Sequence, residues 1–323
     1  MEEHQDQPTP SKEQQQKIEK AKDKRAKQYL DIIEPVRNID ARVRERQENI
    51  FKELPDIKKM SRILRAELKA NRVEYPDSQV EDRFVIQGTL FEELVKIENN
   101  LYNLATNGTE ANHNLQRFTD VENGKVEAEL DEQLTILFHN PDRFDYHEVS
   151  HLRNPDISFV ETDKDGKILR VVGVGEAKSS KQLDKRCLSQ FSHFHQNINR
   201  LADYINMKDD CDQHGLKHFG RGQDKMTIEV NTPEKFGQYL IVTQNMNIDQ
   251  QNPRGCFKTQ GDGALNDYEI EHFEKMFKEE KIKIRKSSFS HDELNLLVKK
   301  IESNIIEENQ LEELEFWAEQ EAT

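Results

Sequence analysis

The chain is poor in cysteine and has no long apolar run. Three cysteines in 323 residues do not suggest the disulfide framework of a small secreted protein. No apolar stretch is long enough for a signal peptide or a membrane span. We therefore expect an intracellular protein, cytoplasmic or nuclear, with no membrane partner.

Glycine-rich phosphate-binding loops are also missing. Gly173 and Gly175 lie in a strand pattern, and no helix start follows them directly. Neither ATP nor a dinucleotide cofactor is therefore indicated.

Basic charge is scarce relative to acidic charge. The 47 Lys and Arg residues against 62 Asp and Glu give a formal net charge of −15. Affinity for duplex nucleic acid normally depends on Lys and Arg, so this balance argues against loose binding along a duplex. Charged and hydrophobic residues each make up 34% of the chain, which predicts one compact domain with solvated appendages.

Residues 153–180 do contain a pattern that carries chemistry: two acidic residues and a lysine around two strand-like runs. Asp156 opens a short apolar run, and Glu176 and Lys178 end a second run rich in β-branched residues. Two strands joined by a tight turn would bring Asp156 beside Glu176. Residues two apart in a strand share a face, so Glu176 and Lys178 are expected on the same side of the sheet.

These residue types suit metal-assisted hydrolysis of a phosphodiester. Carboxylates are hard oxygen ligands for Mg²⁺ or Mn²⁺, so Asp156 and Glu176 are the predicted metal ligands. Lys178 is then placed to orient the attacking water or to stabilise the charge that develops on the phosphate.

Pro155-Asp156 and Glu176-Ala177-Lys178 resemble both halves of the motif of the PD-(D/E)xK nuclease superfamily. The resemblance covers about a third of the chain. It implies a restriction-endonuclease-like α/β core of order αβββαβ with a small mixed sheet. The local patterns agree with that order, predicting a helix at Lys125–Phe138, strands at Phe144–Leu152, 155–162 and 167–178, a helix at Lys181–Met207 and a strand at Phe236–Thr243.

The resemblance also suggests further site residues. The superfamily often adds an acidic residue from the first helix, and Glu129 and Glu132 are both open candidates. It also often has a glutamine near the start of the helix after the motif, where Gln190 is the candidate. The predicted nucleic-acid-binding residues are the basic ones that follow the motif, Lys181, Lys185 and Arg186.

The expected function is therefore a Mg²⁺- or Mn²⁺-dependent nuclease, with DNA the favoured substrate. A catalytically inactive nuclease-like scaffold or protein-interaction module is the alternative from another class. A third reading comes from His147, Glu148 and His151, which match the HExxH pattern of zinc metallopeptidases. That reading is less favoured, because Pro141 and Pro155 bracket a short polar stretch that would give such a helix almost no core face.

The remaining sequence is predicted to flank this core. Long helical stretches are predicted at Ile18–Ile33, Arg42–Leu54 and Ile57–Asn71, and two apolar stripes accompany them, a thin one over residues 39–54 and a stronger one over residues 84–104. They leave two readings open: a helical cap on the core, or an interface for a homodimer or a protein partner. The predicted regions are a disordered tail at 1–15, a helical region at 16–105, the nuclease-like core at 115–250 and a C-terminal helical region with an acidic tail at 265–323.

Overall fold

The structure is a computed structural model of a mixed α/β protein. It divides into two units: a helical unit, made of Met1–Pro76 and Leu296–Thr323, and a sheet unit, made of Asp77–Asn295. The residues that the structure describes are 11–36, 40–74, 80–102, 105–106, 109–110, 156–162, 168–191, 229–230 and 236–321.

The helical unit begins with the helices α1 (Lys12–Ile33), α2 (Ala41–Glu53) and α3 (Ile57–Glu74). Ser11 caps α1 in a reciprocal capping box with Gln14, and the Asp40 carboxylate accepts from the first turn of α2. These caps satisfy backbone N–H groups that have no partner inside the helix. The three helices predicted for this region are confirmed, and the Ser11 cap explains why α1 begins at Lys12 rather than at the predicted Ile18.

Aromatic and polar contacts hold this unit together. The rings of Tyr29 and Phe51 stack at 4.9 Å between α1 and α2, and the buried Tyr29 hydroxyl donates to the carbonyl of Pro55 at 2.9 Å. The C-terminal helix, His291–Glu321, contributes Asn304, whose amide donates to the Ser61 hydroxyl at 3.3 Å. Residues far apart in the sequence therefore share one core.

The sheet unit contains a mixed sheet of strand order β3-β4-β6-β7, with β5 beside β4. Strand β3 is antiparallel to β4, whereas β5 and β6 are parallel to β4, and β7 is parallel to β6. A separate pair of two-residue strands precedes it in the chain. The bounds are β1 (Ala105–Thr106), β2 (Thr109–Glu110), β3 (Ile157–Thr162), β4 (Ile168–Lys178), β5 (Glu229–Val230), β6 (Gly237–Val242) and β7 (Lys283–Lys286).

Helices complete the unit. They are α4 (Asp82–Tyr102), α5 at residues 185–191, α6 (Asp267–Lys278) and the beginning of α7 (His291–Glu321). The side of β4 that bears Val174 shares a buried apolar cluster with α5 and α6. Within the described ranges, no helix combines the length and apolar composition needed to cross a membrane.

Two glycines of β4 are paired with aromatic residues of the neighbouring strands. Phe159 of β3 is paired with Gly173, and Tyr239 of β6 is paired with Gly175. Their rings lie 5.0 Å apart. A Cβ atom at Gly173 would lie 2.6 Å from the backbone oxygen of Gly237, so the close pairing of β4 with β6 requires glycine there.

The substitution Gly173→Ala is expected to destabilise the protein by about 1–3 kcal/mol, because the new methyl group must push β4 and β6 apart. The matched control is Gly88→Ala in α4, where a Cβ atom would meet nothing within 4 Å. Alanine there should stabilise by about 0.5–1 kcal/mol. Urea unfolding measures both changes, and equal effects of the two substitutions would contradict the steric account.

The strands predicted at 155–162, 167–178 and 236–243 are confirmed to within two residues at each end. The start of the helix predicted at Lys181 is wrong, because the described helix begins at residue 185. Asp184 caps it, accepting from the backbone N–H of Cys187 at 2.8 Å. The helix predicted at Lys125–Phe138 and the strand predicted at Phe144–Leu152 lie outside the described residues.

The region 265–323, predicted to be helical, also needs correction because it contains β7. This short strand pairs along β6, and the Gln250 side chain satisfies its outer edge. The Gln250 amide oxygen accepts from the N–H of Ile284 at 2.9 Å, and its nitrogen donates to the carbonyl of Ile282 at 2.7 Å. These tertiary partners stabilise a short strand whose own sequence, Lys-Ile-Arg-Lys, is mostly charged.

Candidate metal centre

The predicted carboxylates and lysine meet where β3 and β4 pair. Ile157 is paired with Gly175, which puts the preceding Asp156 beside Glu176 near the end of β4. The Asp156 carboxylate accepts from the backbone N–H of Ala177 at 2.7 Å. This hydrogen bond fixes the orientation of Asp156 across the two strands.

Lys178 is shared between the two carboxylates. Its Nζ lies 3.1 Å from Oε2 of Glu176 and 3.6 Å from Oδ2 of Asp156. The side chains are 23% exposed for Lys178, 12% for Asp156 and 0% for Glu176, so the cluster opens to solvent on its lysine side. We refer to these three side chains as the charged cluster.

Glu176 is the least satisfied member of the charged cluster. Neither of its carboxylate oxygens accepts a hydrogen bond from any residue that the structure describes. Oε2 keeps an ion-pair contact with Lys178 at 3.1 Å, and the neighbouring Asp156 carboxylate can hydrogen-bond with Glu176 only when one of the two is protonated. Buried polar atoms are rarely left without a partner, since the lost hydration costs about 1–3 kcal/mol. A Glu176 oxygen that the described residues leave unpaired is therefore available to a ligand.

The electrostatics of the cluster favour a bound cation. Burial raises the pKa of Glu176 well above its usual range, repulsion from Asp156 adds to this, and the Lys178 ammonium offsets it only in part. Burial alone would lower the pKa of Lys178, but attraction to Asp156 and Glu176 outweighs it and raises that pKa well above its ordinary value. Lys178 consequently remains an ammonium, and the protonated form of Glu176 is more favoured than it is for an exposed glutamate.

The donor atoms fit a hard divalent cation. Mg²⁺ prefers oxygen ligands and is commonly bound by one or two protein carboxylates, with water and substrate phosphate completing the shell. Asp156 and Glu176 provide such a pair, and the unpaired oxygen of Glu176 is the observation that favours it. Across the described ranges, no group of three or more His, Cys, Asp or Glu side chains is arranged to hold a metal. The other predicted ligands lie outside those ranges, namely Glu129, Glu132, His147, Glu148 and His151.

The predicted substrate-binding residues lie on and before α5. Lys181 is exposed ahead of the helix, Arg186 is exposed on it, and Gln190 is buried there with 6% exposure. Lys185 forms an ion pair with Glu269 of α6, which lowers the pKa of that glutamate. Their roles stay predictions.

Cys187 of α5 is buried in the same apolar cluster as Val174, on the side of β4 that carries the charged cluster. Burial raises the pKa of its thiol, so it remains protonated and inert at neutral pH.

His291 was not anticipated at this site. Its ring Nδ1 lies 3.0 Å from the carbonyl oxygen of Ser179, the residue after Lys178, and 3.3 Å from the side-chain nitrogen of Gln87. The contact with Ser179 is a hydrogen bond when Nδ1 carries a proton, and the contact with Gln87 is one when it does not. His291 is more than a hundred positions from Lys178 in the sequence, so no local pattern could have linked them.

Comparisons of the chain with protein-family models, with curated proteins and with solved structures give no match. The geometry and chemistry of the charged cluster are therefore the basis for a functional assignment.

Proposed function

We propose that this chain is a metal-dependent nuclease that hydrolyses phosphodiester bonds of nucleic acid, with DNA the favoured substrate. The observation that carries the proposal is the convergence of Asp156 and Glu176 on Lys178, with a buried carboxylate oxygen of Glu176 left unpaired. A buried unpaired carboxylate lowers stability, and a binding function explains why the site contains one.

Each member of the charged cluster has a distinct role in this proposal. Asp156 and Glu176 hold Mg²⁺ or Mn²⁺, Asp156 being kept in orientation by the N–H of Ala177. When bound, the cation offsets the negative charge of the phosphodiester and lowers the pKa of an attacking water. Lys178 donates from Nζ to that water or to a phosphate oxygen, because it is the partly exposed member and stays charged.

We further propose that the sheet belongs to a restriction-endonuclease-like core of the PD-(D/E)xK superfamily. Two features support this assignment. Asp156 directly precedes β3, Glu176 and Lys178 lie on the adjacent antiparallel β4, and the next long strand among the described residues, β6, runs parallel to β4. This matches the ββαβ portion of the expected αβββαβ order, with α5 between β4 and β6 in the chain.

Cleavage of a panel of single- and double-stranded DNA and RNA, followed on gels, tests the proposal. We expect hydrolysis with Mg²⁺ or Mn²⁺, none with a chelator, and none from Asp156→Asn. The variant keeps the size of the side chain but loses a charged oxygen ligand. Metal-independent cleavage, or equal cleavage by the variant, would contradict the proposal.

A catalytically inactive nuclease-like scaffold is the second candidate, and one observation favours it. Lys178 already contacts both carboxylates, so the charged cluster can act as a closed ion network that stabilises the strand pair. A scaffold of this kind is recognised by the joint absence of cleavage and of any stabilisation by Mg²⁺ or Mn²⁺. The proposed nuclease should show both.

A further inference from the structure

Lys286 stands in a row across the sheet with the lysine of the charged cluster. Lys178 of β4 is paired with Val242 of β6, and Val242 is paired with Lys286 of β7. Paired residues on adjacent strands direct their side chains to the same face, so Lys178 and Lys286 share one face and one end of the sheet. Two strand spacings separate their Cα atoms by about 10 Å.

The charge of Lys286 is available to a ligand. Its side chain is exposed, and no carboxylate among the described residues forms an ion pair with it. Residues 281–286 contain four basic residues and no acidic one, in a chain that is strongly acidic overall. Lys178 is therefore partly buried in the sheet, whereas Lys286, on the same face, carries an exposed positive charge at the edge of the sheet.

Hydrogen bonds of the two residues after Lys286 fix the position of its backbone. The N–H of Ser287 donates to the carbonyl of Val242 at 2.9 Å, which extends the pairing with β6 beyond β7. The buried carboxylate of Glu98, on α4, accepts from the Ser287 hydroxyl at 2.8 Å and from the Ser288 N–H at 3.0 Å. These hydrogen bonds to a buried side chain fix the backbone that carries Lys286.

We propose that Lys286 binds a backbone phosphate of the nucleic acid, near the scissile phosphate held at the charged cluster. This inference rests on the proposed nuclease function and specifies where the substrate strand runs. Successive phosphates of one duplex strand are separated by about 3.4 Å of helical rise, so a cation about 10 Å away meets a phosphate within about three nucleotides. An ammonium is suited to this task because it binds phosphate as a point charge, without reading sequence.

The test compares Lys286→Ala with wild type in fluorescence-anisotropy titrations of labelled oligonucleotides over a range of salt concentrations, without divalent metal. Loss of one phosphate contact should weaken binding at about 0.1 M salt about 8-fold for duplex and about 5-fold for single strands. The slope of log K against log salt should fall in magnitude by about 0.9 or about 0.7 respectively. In cleavage assays KM should rise, with kcat within about twofold of wild type.

The matched control is Lys283→Ala, which removes the same charge from the same strand but from the opposite face. Its salt slope should equal that of wild type. An unchanged slope for Lys286→Ala, or wild type that binds no oligonucleotide, would overturn the role of Lys286. If wild type cleaves nucleic acid and Lys286→Ala has the wild-type salt slope, the role of Lys286 is wrong but the nuclease assignment stands. If binding depends on Lys286 but wild type cleaves nothing, only the nuclease assignment is rejected.

Discussion

Replacing Lys178 by alanine should lower kcat for metal-dependent cleavage by about 10²–10⁴-fold, the usual contribution of a positioned proton-transfer or charge-stabilising group. Its ammonium lies 3.1 Å from Glu176 and 3.6 Å from Asp156, and it is the most exposed member of the charged cluster. It is therefore the side chain best placed to reach both an attacking water and a phosphate oxygen. Single-turnover cleavage with excess enzyme measures the effect without interference from product release.

A measurement of metal binding distinguishes a catalytic role of Lys178 from a structural role. The Lys178 ammonium competes with a divalent cation for the same two carboxylates, so Lys178→Ala should bind Mn²⁺ as tightly as wild type or more tightly at about pH 8. Lys299→Ala, which removes an exposed lysine from α7, is the control for general charge effects. A loss of Mn²⁺ affinity that parallels the loss of kcat would mean that Lys178 only maintains the site.

The sequence carried enough information to predict the charged cluster because its cause is local. Runs of β-branched residues ending in Glu176 and Lys178 define a strand, and alternation fixes that both side chains share a face. A short connection then allows only antiparallel pairing with the preceding run, which brings Asp156 alongside. Each step depends on residues within about 25 positions of one another.

What could not be predicted depends on contacts between distant segments. Strand β7 is stable because it pairs with β6 and because Gln250 satisfies its outer edge. The anchoring of Ser287 and Ser288 by Glu98 joins positions almost two hundred residues apart. The alternation of basic residues with Ile over 281–285 is a strand pattern, but nothing local places that strand beside the charged cluster, so the position of Lys286 follows only from the register of the sheet.

Glu176 links the function of the site to the stability of the fold. A fully buried carboxylate with an unpaired oxygen weakens the metal-free protein, because ionising it in the apolar interior costs free energy. A bound cation offsets the negative charge, so the ionised Glu176 then stabilises the folded protein. The same side chain should therefore destabilise the metal-free protein and stabilise the metal-bound one, a pattern that a purely structural carboxylate does not produce.

The loss of stability caused by ionising the buried Glu176 depends on pH in a definite direction. The pKa of Glu176 in the folded chain is raised well above the ordinary value of 4.5, so the folded state keeps its proton at pH values where the unfolded chain has lost it. The stabilising contribution of the protonated form is complete below about pH 4.5 and is lost as the pH rises through the raised folded pKa. The metal-free protein should consequently lose stability over this window.

Glu176→Gln should prevent the fall in stability of the metal-free protein with rising pH, because glutamine has nearly the same shape as glutamate and cannot ionise. In a chelator, we expect the variant to match wild type near pH 4.5 and to exceed it by about 1–3 kcal/mol at about pH 8 in urea unfolding. Mg²⁺ at about 100 times its Kd should stabilise wild type by about 2.7 kcal/mol and the variant far less. Glu271→Gln, at an exposed position of α6, should change neither quantity. A Glu176→Gln protein with the pH slope of wild type, or with equal stabilisation by Mg²⁺, would show that Glu176 is not the buried metal ligand.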